Sequence, residues 1–349
     1  MADIEFEERD RLGLVTLNRP QALNAVTGAM LRALQERLSA WAEDAQIACV
    51  AIRAARGRAF SAGGDIRDLY DGAVAGRFDT DFFRQEYALN VAIARYPKPY
   101  VAFVDGIAMG GGVGVSFHGS HRVAGEGFAF AMPETGIGFF PDVGASYLLS
   151  RLPGAMGVYL GLTGARVKRD DGLALGLATH AASASDFDAV LTRLAKGEAV
   201  SDALAPLQRE PGGQTPLLDL RPRIDAAFGA PTLPDVLARL RADGSDWALR
   251  TLETLHARAP LSLAVAFEQI RRGASLSLPD CMVMEYRILS RMLRAPDFRE
   301  GVRAAIVDKD DAPRWAPATL EGVGEAMVAE HFAPAPDGDL RLPAAGAGS

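Results

Sequence analysis

Two stretches of small residues, Phe60-Ser61-Ala62-Gly63-Gly64-Asp65 and Met109-Gly110-Gly111-Gly112-Val113-Gly114, each close a strand-like run. Without side chains, backbone N–H groups at such places approach a ligand closely. Two N–H groups converging on one carbonyl oxygen form an oxyanion hole, worth several kcal/mol to acyl chemistry. A third stretch brings carboxylates: Met132-Pro133-Glu134-Thr135, then Phe140-Pro141-Asp142-Val143-Gly144. Backbone donors together with carboxylates point to chemistry on an activated acyl group.

Other chemistries fit the same residues less well. A phosphate-binding loop requires GxxxxGK followed by Ser or Thr, but Gly106 to Gly111 is followed by Gly112. A dinucleotide fingerprint requires GxGxxG; counted from Gly110 or Gly112, the third glycine falls on Val115 or Phe117. Close packing of a strand on a helix is the bland alternative for these glycines. The oxyanion reading gains because Gly111 is expected at a helix N-terminus, where free N–H groups and the helix dipole favour negative charge. No Gly-x-Ser-x-Gly elbow lies near these stretches, which weighs against a serine hydrolase. His118, His121, His180, His256 and His331 form no HExxH and pair with no cysteine, so no metal is expected. His118 and His121 read as structural. Arg166, Lys168 and Arg169 are either a contact for ligand phosphates or a solvated surface cluster.

These residues need a scaffold, and composition supports one. The 349 residues suffice for one large domain or two ordinary ones, and 49% are hydrophobic. A net charge of −7 argues against a nucleic-acid partner. Two cysteines, Cys49 and Cys281, are too few for a disulfide framework, and Cys49 sits in an apolar run that favours a buried thiol. The start of the sequence has no basic-then-apolar signal pattern, and no uncharged apolar stretch reaches membrane-spanning length. A reducing, cytoplasmic setting is expected, with no membrane partner.

Strand and helix patterns alternate through the first half. Residues 12–17 read as a strand that Arg19-Pro20 breaks. Thr27 is placed to cap a helix bearing Leu31, Leu34, Leu38 and Trp41. The apolar runs 47–52 and 99–104 are strands buried on both faces. A helix is expected over 113–117, short strands over 122–124 and 128–131, then helices over 143–152 and 155–162. Residues 184–208 and 223–305 show helical patterning, separated by a loop around Pro211-Gly212-Gly213-Gln214-Thr215-Pro216. The expected organisation is a catalytic core over 1–200, a mainly helical region over 201–333 and a frayed tail over 334–349, rich in Ala, Pro and Gly.

Taken together, Asn18-Arg19-Pro20 with Ala22-Leu23-Asn24-Ala25, Phe60-Ser61-Ala62-Gly63-Gly64-Asp65, and Gly106 with Gly110-Gly111-Gly112 resemble the crotonase superfamily, also called the enoyl-CoA hydratase/isomerase family. Ala131-Met132-Pro133-Glu134-Thr135, Phe140-Pro141-Asp142-Val143-Gly144, Asp297-Phe298-Arg299-Glu300-Gly301-Val302-Arg303 and Asp308-Lys309-Asp310 resemble its 3-hydroxyisobutyryl-CoA hydrolase branch and extend the likeness over nearly the whole chain. The resemblance implies an α/β fold, a spiral of ββα repeats with a helical C-terminal region. It implies a coenzyme A thioester as substrate, no separate cofactor, and a place in valine catabolism; a homo-oligomer remains open. Carried over by position, Gly64 and Gly111 are the oxyanion donors. Ala62 lies near the adenine part of the ligand, and Asp65 and Gly110 join the binding stretch. Glu86 is a substrate-pocket glutamate, with a solvated helix-face charge as its alternative.

Departures narrow the reading. Hydratases of this superfamily use two glutamates; one corresponds to Glu134 and the other to Gly114, which has no proton to give. Glu134 remains as base or nucleophile, and a partly apolar pocket of Met132, Ile137 and Phe139 would raise its pKa. Read alone, Glu134 is equally a turn carboxylate, and Asp142 is either a partner of the substrate hydroxyl or a helix N-cap. Three readings follow: a hydroxyacyl-CoA thioesterase, a double-bond isomerase using Glu134 alone, and an acyl-CoA-binding protein with little catalysis. The pair Glu134 and Asp142 with the late Asp308-Lys309-Asp310 stretch favours the first.

Overall fold

The computed structural model describes residues 2–55, 57–78 and 80–342. The chain forms two compact units, each assembled from three separate segments. The first takes Met1–Asp65, Gln85–Ala131 and Arg166–Leu218; the second takes Ile66–Arg84, Met132–Ala165 and Asp219–Ser349.

The first unit is built on two sheets. Strands β1 (Ile4–Arg9), β2 (Leu12–Leu17), β3 (Cys49–Ala54), β4 (Ala59–Ser61), β5 (Tyr100–Val104), β6 (Ile107–Met109), β7 (His121–Ala124), β8 (Ala129–Ala131), β9 (Val167–Lys168) and β10 (His180–Ala181) divide between them. The larger sheet runs β1-β2-β3-β5-β7-β10 and the smaller β4-β6-β8-β9. In each of the pairs β3/β4, β5/β6 and β7/β8 the first strand joins the larger sheet and the second the smaller. Successive repeats therefore stack in parallel, β3 on β5 on β7 and β4 on β6 on β8. This is the spiral of ββα repeats that the resemblance implies. Its interior is apolar: Leu12, Leu14, Ala51, Val101, Phe103 and Val123 pack with Leu191, Leu194 and Leu204.

Helix α1 (Gly28–Glu43) starts where its residues dictate. The Thr27 side chain accepts the Met30 N–H, and Leu31, Leu34, Leu38 and Trp41 all turn inward. Helix α2 (Ile66–Val74) begins the second unit, and α3 (Thr80–Ala94) returns the chain to the first at Gln85. Helix α4 is a single turn, Gly111–Gly114, rather than the segment 113–117 expected from apolar pattern alone. The glycines themselves form the turn. Gly110 before it adopts φ 45° and ψ −125°, a conformation open essentially to glycine only.

The second unit is mainly helical. Its buried helices include Pro260–Gly273, Leu278–Met292 and Pro296–Val302. The helix expected over 143–152 is confined to Ala145–Leu149, because Val143 and Gly144 take positive φ (52° and 84°) and cannot continue a right-handed helix. The segment expected to fray is fixed up to Asp339. Arg287 pairs with Asp339 at 2.6 Å, Arg294 with Asp337 at 2.7 Å, and Arg84 donates to the Asp339 carbonyl. Arginines far away in sequence decide that order, which local composition cannot reveal. Residues 343–349 of that tail lie outside the described residues.

Candidate active site

In the first unit the two glycine stretches lie against each other. A Cβ built on Gly63 would lie 3.6 Å from the Met109 carbonyl, and one on Gly111 would lie 3.3 Å from the Gly64 nitrogen. Val26 N–H bonds to the Gly63 carbonyl and Asp65 N–H to the Val26 carbonyl. That bridge leaves the intervening Gly64 N–H out of the ladder. Gly111 opens α4, so its N–H has no acceptor within the helix. Among the described residues neither N–H donates to a backbone carbonyl. Because α4 is one turn long, its dipole is small; the observed asset is two bare N–H groups on adjacent strand ends.

Glu86 stands on α3 beside them. It is buried, 2% exposed, and its Oε1 lies 2.6 Å from where a Gly111 Cβ would sit. A solvated helix-face charge does not describe it. The other residues of these stretches are held by bonds of their own. Ala62 donates its N–H to the Leu23 carbonyl, and the Asp65 carboxylate pairs with Arg19 at 2.8 Å. Asn24, fully buried, accepts the Arg19 N–H and donates to the Ala59 carbonyl, which ties the Asn18–Asn24 loop to β4. Arg166 and Lys168 are exposed on and beside β9. His121 stacks near His180, ring centroids 6.1 Å apart, and burial lowers the pKa of both. Both cysteines are free and buried, and burial pushes the Cys49 thiol up to about 11.

In the second unit Glu134 begins a 3-10 turn, Glu134–Ile137. It is 7% exposed, and its Oε2 has no hydrogen-bonding partner among the described residues. Burial first, then the nearby Asp142 charge, hold its carboxyl well above the usual carboxylate range. Of the three residues expected to make an apolar pocket, Met132 and Phe139 are buried and Ile137 is half-buried, and Phe139 packs against Phe298 at 5.4 Å between ring centroids. The turn is braced throughout. The Thr135 hydroxyl donates to the Leu162 carbonyl, Ala259 N–H to the Thr135 carbonyl, and Gly138, at φ 68°, packs against the Asp297 backbone. Gly301 packs equally closely on Ile137. The late Asp297–Gly301 stretch therefore supports the Glu134 turn from beneath. Asp308 and Asp310 both pair with Arg303 at 2.7 Å, and Glu300 pairs with it at 2.9 Å. That stretch is an ion-pair clamp.

Asp142 is buried, 5% exposed, and the N-cap of Ala145–Leu149 is Gly144 rather than Asp142. The cap comes from a residue that sequence reasoning missed. Glu285, fully buried on the helix Leu278–Met292, accepts Gly144 N–H at 2.7 Å and Ser146 N–H at 2.8 Å. Burial pushes its carboxyl up to about 8, against the pull of those N–H donors. Its two bonds hold a turn in which Val143, a β-branched residue, sits at φ 52°, a strained conformation for such a side chain. Gln269 adds a bond to the Pro141 carbonyl. The available signal was a single carboxylate on the buried face of Cys281, Met282, Ile288 and Leu289.

The geometry thus supplies two bare N–H donors beside a buried carboxylate in one unit, and in the other a buried carboxyl whose pKa is raised by burial and by a second carboxylate nearby. Comparison with known proteins places this arrangement in context. The profile of the enoyl-CoA hydratase/isomerase family matches residues 12–332. The chain is 43% identical to 3-hydroxyisobutyryl-CoA hydrolase, mitochondrial, of Xenopus tropicalis over 343 residues, covering 95% of this chain and 88% of the relative. It is 39% identical to the protein of the same description from Homo sapiens, covering 97% and 91%. Among solved structures, one titled a carnitinyl-CoA dehydratase from Mycobacterium thermoresistibile superposes with a TM-score of 0.93 at 40% identity, covering 99% of this chain and 100% of that one. One titled an enoyl-CoA hydratase from Rhodobacter sphaeroides gives 0.92 at 39%, covering 98% and 100%. The chain belongs to the enoyl-CoA hydratase/isomerase family, the crotonase superfamily.

Proposed function

We propose that this protein hydrolyses the thioester of 3-hydroxyisobutyryl-CoA, or of a close short 3-hydroxyacyl-CoA, to the free acid and coenzyme A. The observation that carries the reading is the near-full-length kinship to hydrolases of that substrate. The thioester oxygen accepts hydrogen bonds from Gly64 N–H and Gly111 N–H. Water adds to the carbonyl carbon and passes its proton to Glu134. The resulting oxyanion is held by the two N–H groups, which strengthens as charge develops there. Collapse breaks the C–S bond; the electron pair leaves with sulfur, which takes the proton back from Glu134. A base whose pKa is raised toward the working pH suits that exchange, and the Asp142 charge contributes to the raising. Glu86, beside Gly111, contacts the substrate. No cofactor enters, since coenzyme A is part of the substrate. Cytoplasm is the proposed location, where both thiols stay reduced; the vertebrate relatives carry a mitochondrial designation in their names.

A lyase reading has one observation in its favour, the names of the two proteins whose solved structures superpose on this one. Gly114 stands against it, because hydration by two glutamates needs a carboxylate at that position. A panel of acyl-CoAs, assayed for free thiol and separately for loss or gain of the conjugated double bond, separates the two. Thiol release from short 3-hydroxyacyl-CoA supports hydrolysis; hydration or isomerisation with the thioester intact overturns it.

A further inference from the structure

Asn90 lies one helical turn beyond Glu86 on α3, and Gly114 lies one turn beyond Gly111 on α4. The second rung repeats the first. A Cβ on Gly111 would meet Glu86 Oε1 at 2.6 Å, and a Cβ on Gly114 would meet Asn90 Nδ2 at 2.8 Å and Oδ1 at 3.0 Å. The amide therefore packs directly over Gly114, where any side chain would collide with it. Asn90 is fully buried, yet neither Nδ2 nor Oδ1 has a hydrogen-bonding partner among the described residues. Such an amide destabilises the fold unless something completes it. A single oxygen that both accepts from Nδ2 and donates to Oδ1 would do so, which describes a hydroxyl. Residues one turn apart on a helix have Cβ atoms about 5–6 Å apart. Asn90 thus stands about one such step from Glu86, beside the paired N–H groups. A hydroxyl two carbons from a thioester carbonyl spans a distance on that scale.

We propose that the Asn90 amide is the docking point for a hydroxyl beside the thioester carbonyl, namely the 3-hydroxyl of the acyl chain. This rests on the acyl-CoA reading given above. It makes Asn90 a specificity-determining residue, and it makes the missing side chain at Gly114 a requirement rather than only a loss. The other source of a hydroxylic oxygen is the attacking water, and the test separates the two.

Asn90→Leu keeps the number of side-chain heavy atoms and removes both polar groups. Melting temperature is measured alongside kcat/KM for a 3-hydroxyacyl-CoA and the matching unsubstituted acyl-CoA. With a hydroxyl docked, the variant melts at or above the wild-type temperature, because an unmet polar group has been removed. Its kcat/KM for the 3-hydroxy substrate falls about 10–100-fold more than for the unsubstituted one. An equal fall in kcat on both substrates at unchanged melting temperature assigns the oxygen to water and overturns the substrate-hydroxyl assignment. Wild-type rates on both, or a loss that follows a lowered melting temperature, overturns the docking role altogether. Affinities for methylene-for-sulfur analogues of the same two thioesters, measured by calorimetry, give the same comparison without turnover. If wild-type protein releases no thiol, the hydrolase reading fails while the analogue affinities still decide Asn90. Should Asn90→Leu not fold, Asn90→Ala is measured in the same way.

Discussion

Gly111→Ala tests the oxyanion proposal with the smallest change available. Gly111 is not at positive φ, so alanine fits the backbone, and replacing a helical glycine gains roughly 0.5–1 kcal/mol of local stability. The added methyl, however, would sit 2.6 Å from Glu86 Oε1 and 3.3 Å from the Gly64 nitrogen. Ordinary carbon contacts lie near 3.5–4.0 Å, so the Glu86 carboxylate must retreat by roughly 1 Å. The methyl then occupies the space where an oxygen would meet the Gly64 N–H. Losing one oxyanion donor costs about 10²–10³ in kcat, or about 2.7–4 kcal/mol of transition-state stabilisation. The assay is thiol release from a 3-hydroxyacyl-CoA under single-turnover conditions, with melting temperature and coenzyme A affinity as controls. A folded variant that binds coenzyme A and is slowed by about 10² or more is expected. A folded variant within a few-fold of wild-type turnover refutes the oxyanion assignment, and with it the reason for placing acyl chemistry at these glycines.

Glu134→Gln keeps shape and loses the base, so turnover should fall about 10²–10⁴-fold with coenzyme A binding retained; near-normal turnover would leave Glu134 a turn carboxylate. Asp142→Asn removes a charge that raises the Glu134 pKa, so the acidic limb of the kcat/KM profile should move to lower pH, and an unmoved limb contradicts the coupling. Glu285 is protonated in the fold up to about 8 but ionised above about 4.5 once unfolded. Its contribution is therefore fully present below 4.5 and lost as pH rises through about 8. At about 1.36 kcal/mol per pH unit that interval amounts to on the order of 5 kcal/mol. Denaturant titrations across it should show the decline in wild type and a flatter profile in Glu285→Gln; equal profiles refute the buried-proton account.

What the sequence disclosed, and what it withheld, follows from how far each interaction reaches along the chain. Gly64, Gly111 and Glu134 stand in compact motifs whose residue types suggest the chemistry proposed for them, and the Thr27 cap and the face of Leu31, Leu34, Leu38 and Trp41 follow from spacing alone. Glu285 and Asn90 carry no local signature. Glu285 matters because it meets Gly144 and Ser146 across about 140 residues of chain. Asn90 matters because its amide packs over Gly114 with its polar atoms unmet among the described residues. Asp142 looked like a cap because it precedes a helix, but the turn at Val143 and Gly144 delays that helix and passes the capping to Glu285. Strand β1 was hidden by its acidic edge: only Ile4 is buried in Ile4–Arg9, so apolar periodicity is weak there. The late acidic stretch read as part of a hydrolase signature, and its observed work is to clamp Arg303.

The central claim, thioester hydrolysis rather than a reaction at the carbon–carbon bond, is met most directly by one incubation. Purified protein is given 3-hydroxyisobutyryl-CoA in water enriched with heavy oxygen, and all products are read by mass spectrometry. The account predicts free coenzyme A and 3-hydroxyisobutyrate carrying the heavy oxygen in its carboxylate. An unsaturated acyl-CoA with its thioester intact, formed without free coenzyme A, would contradict it.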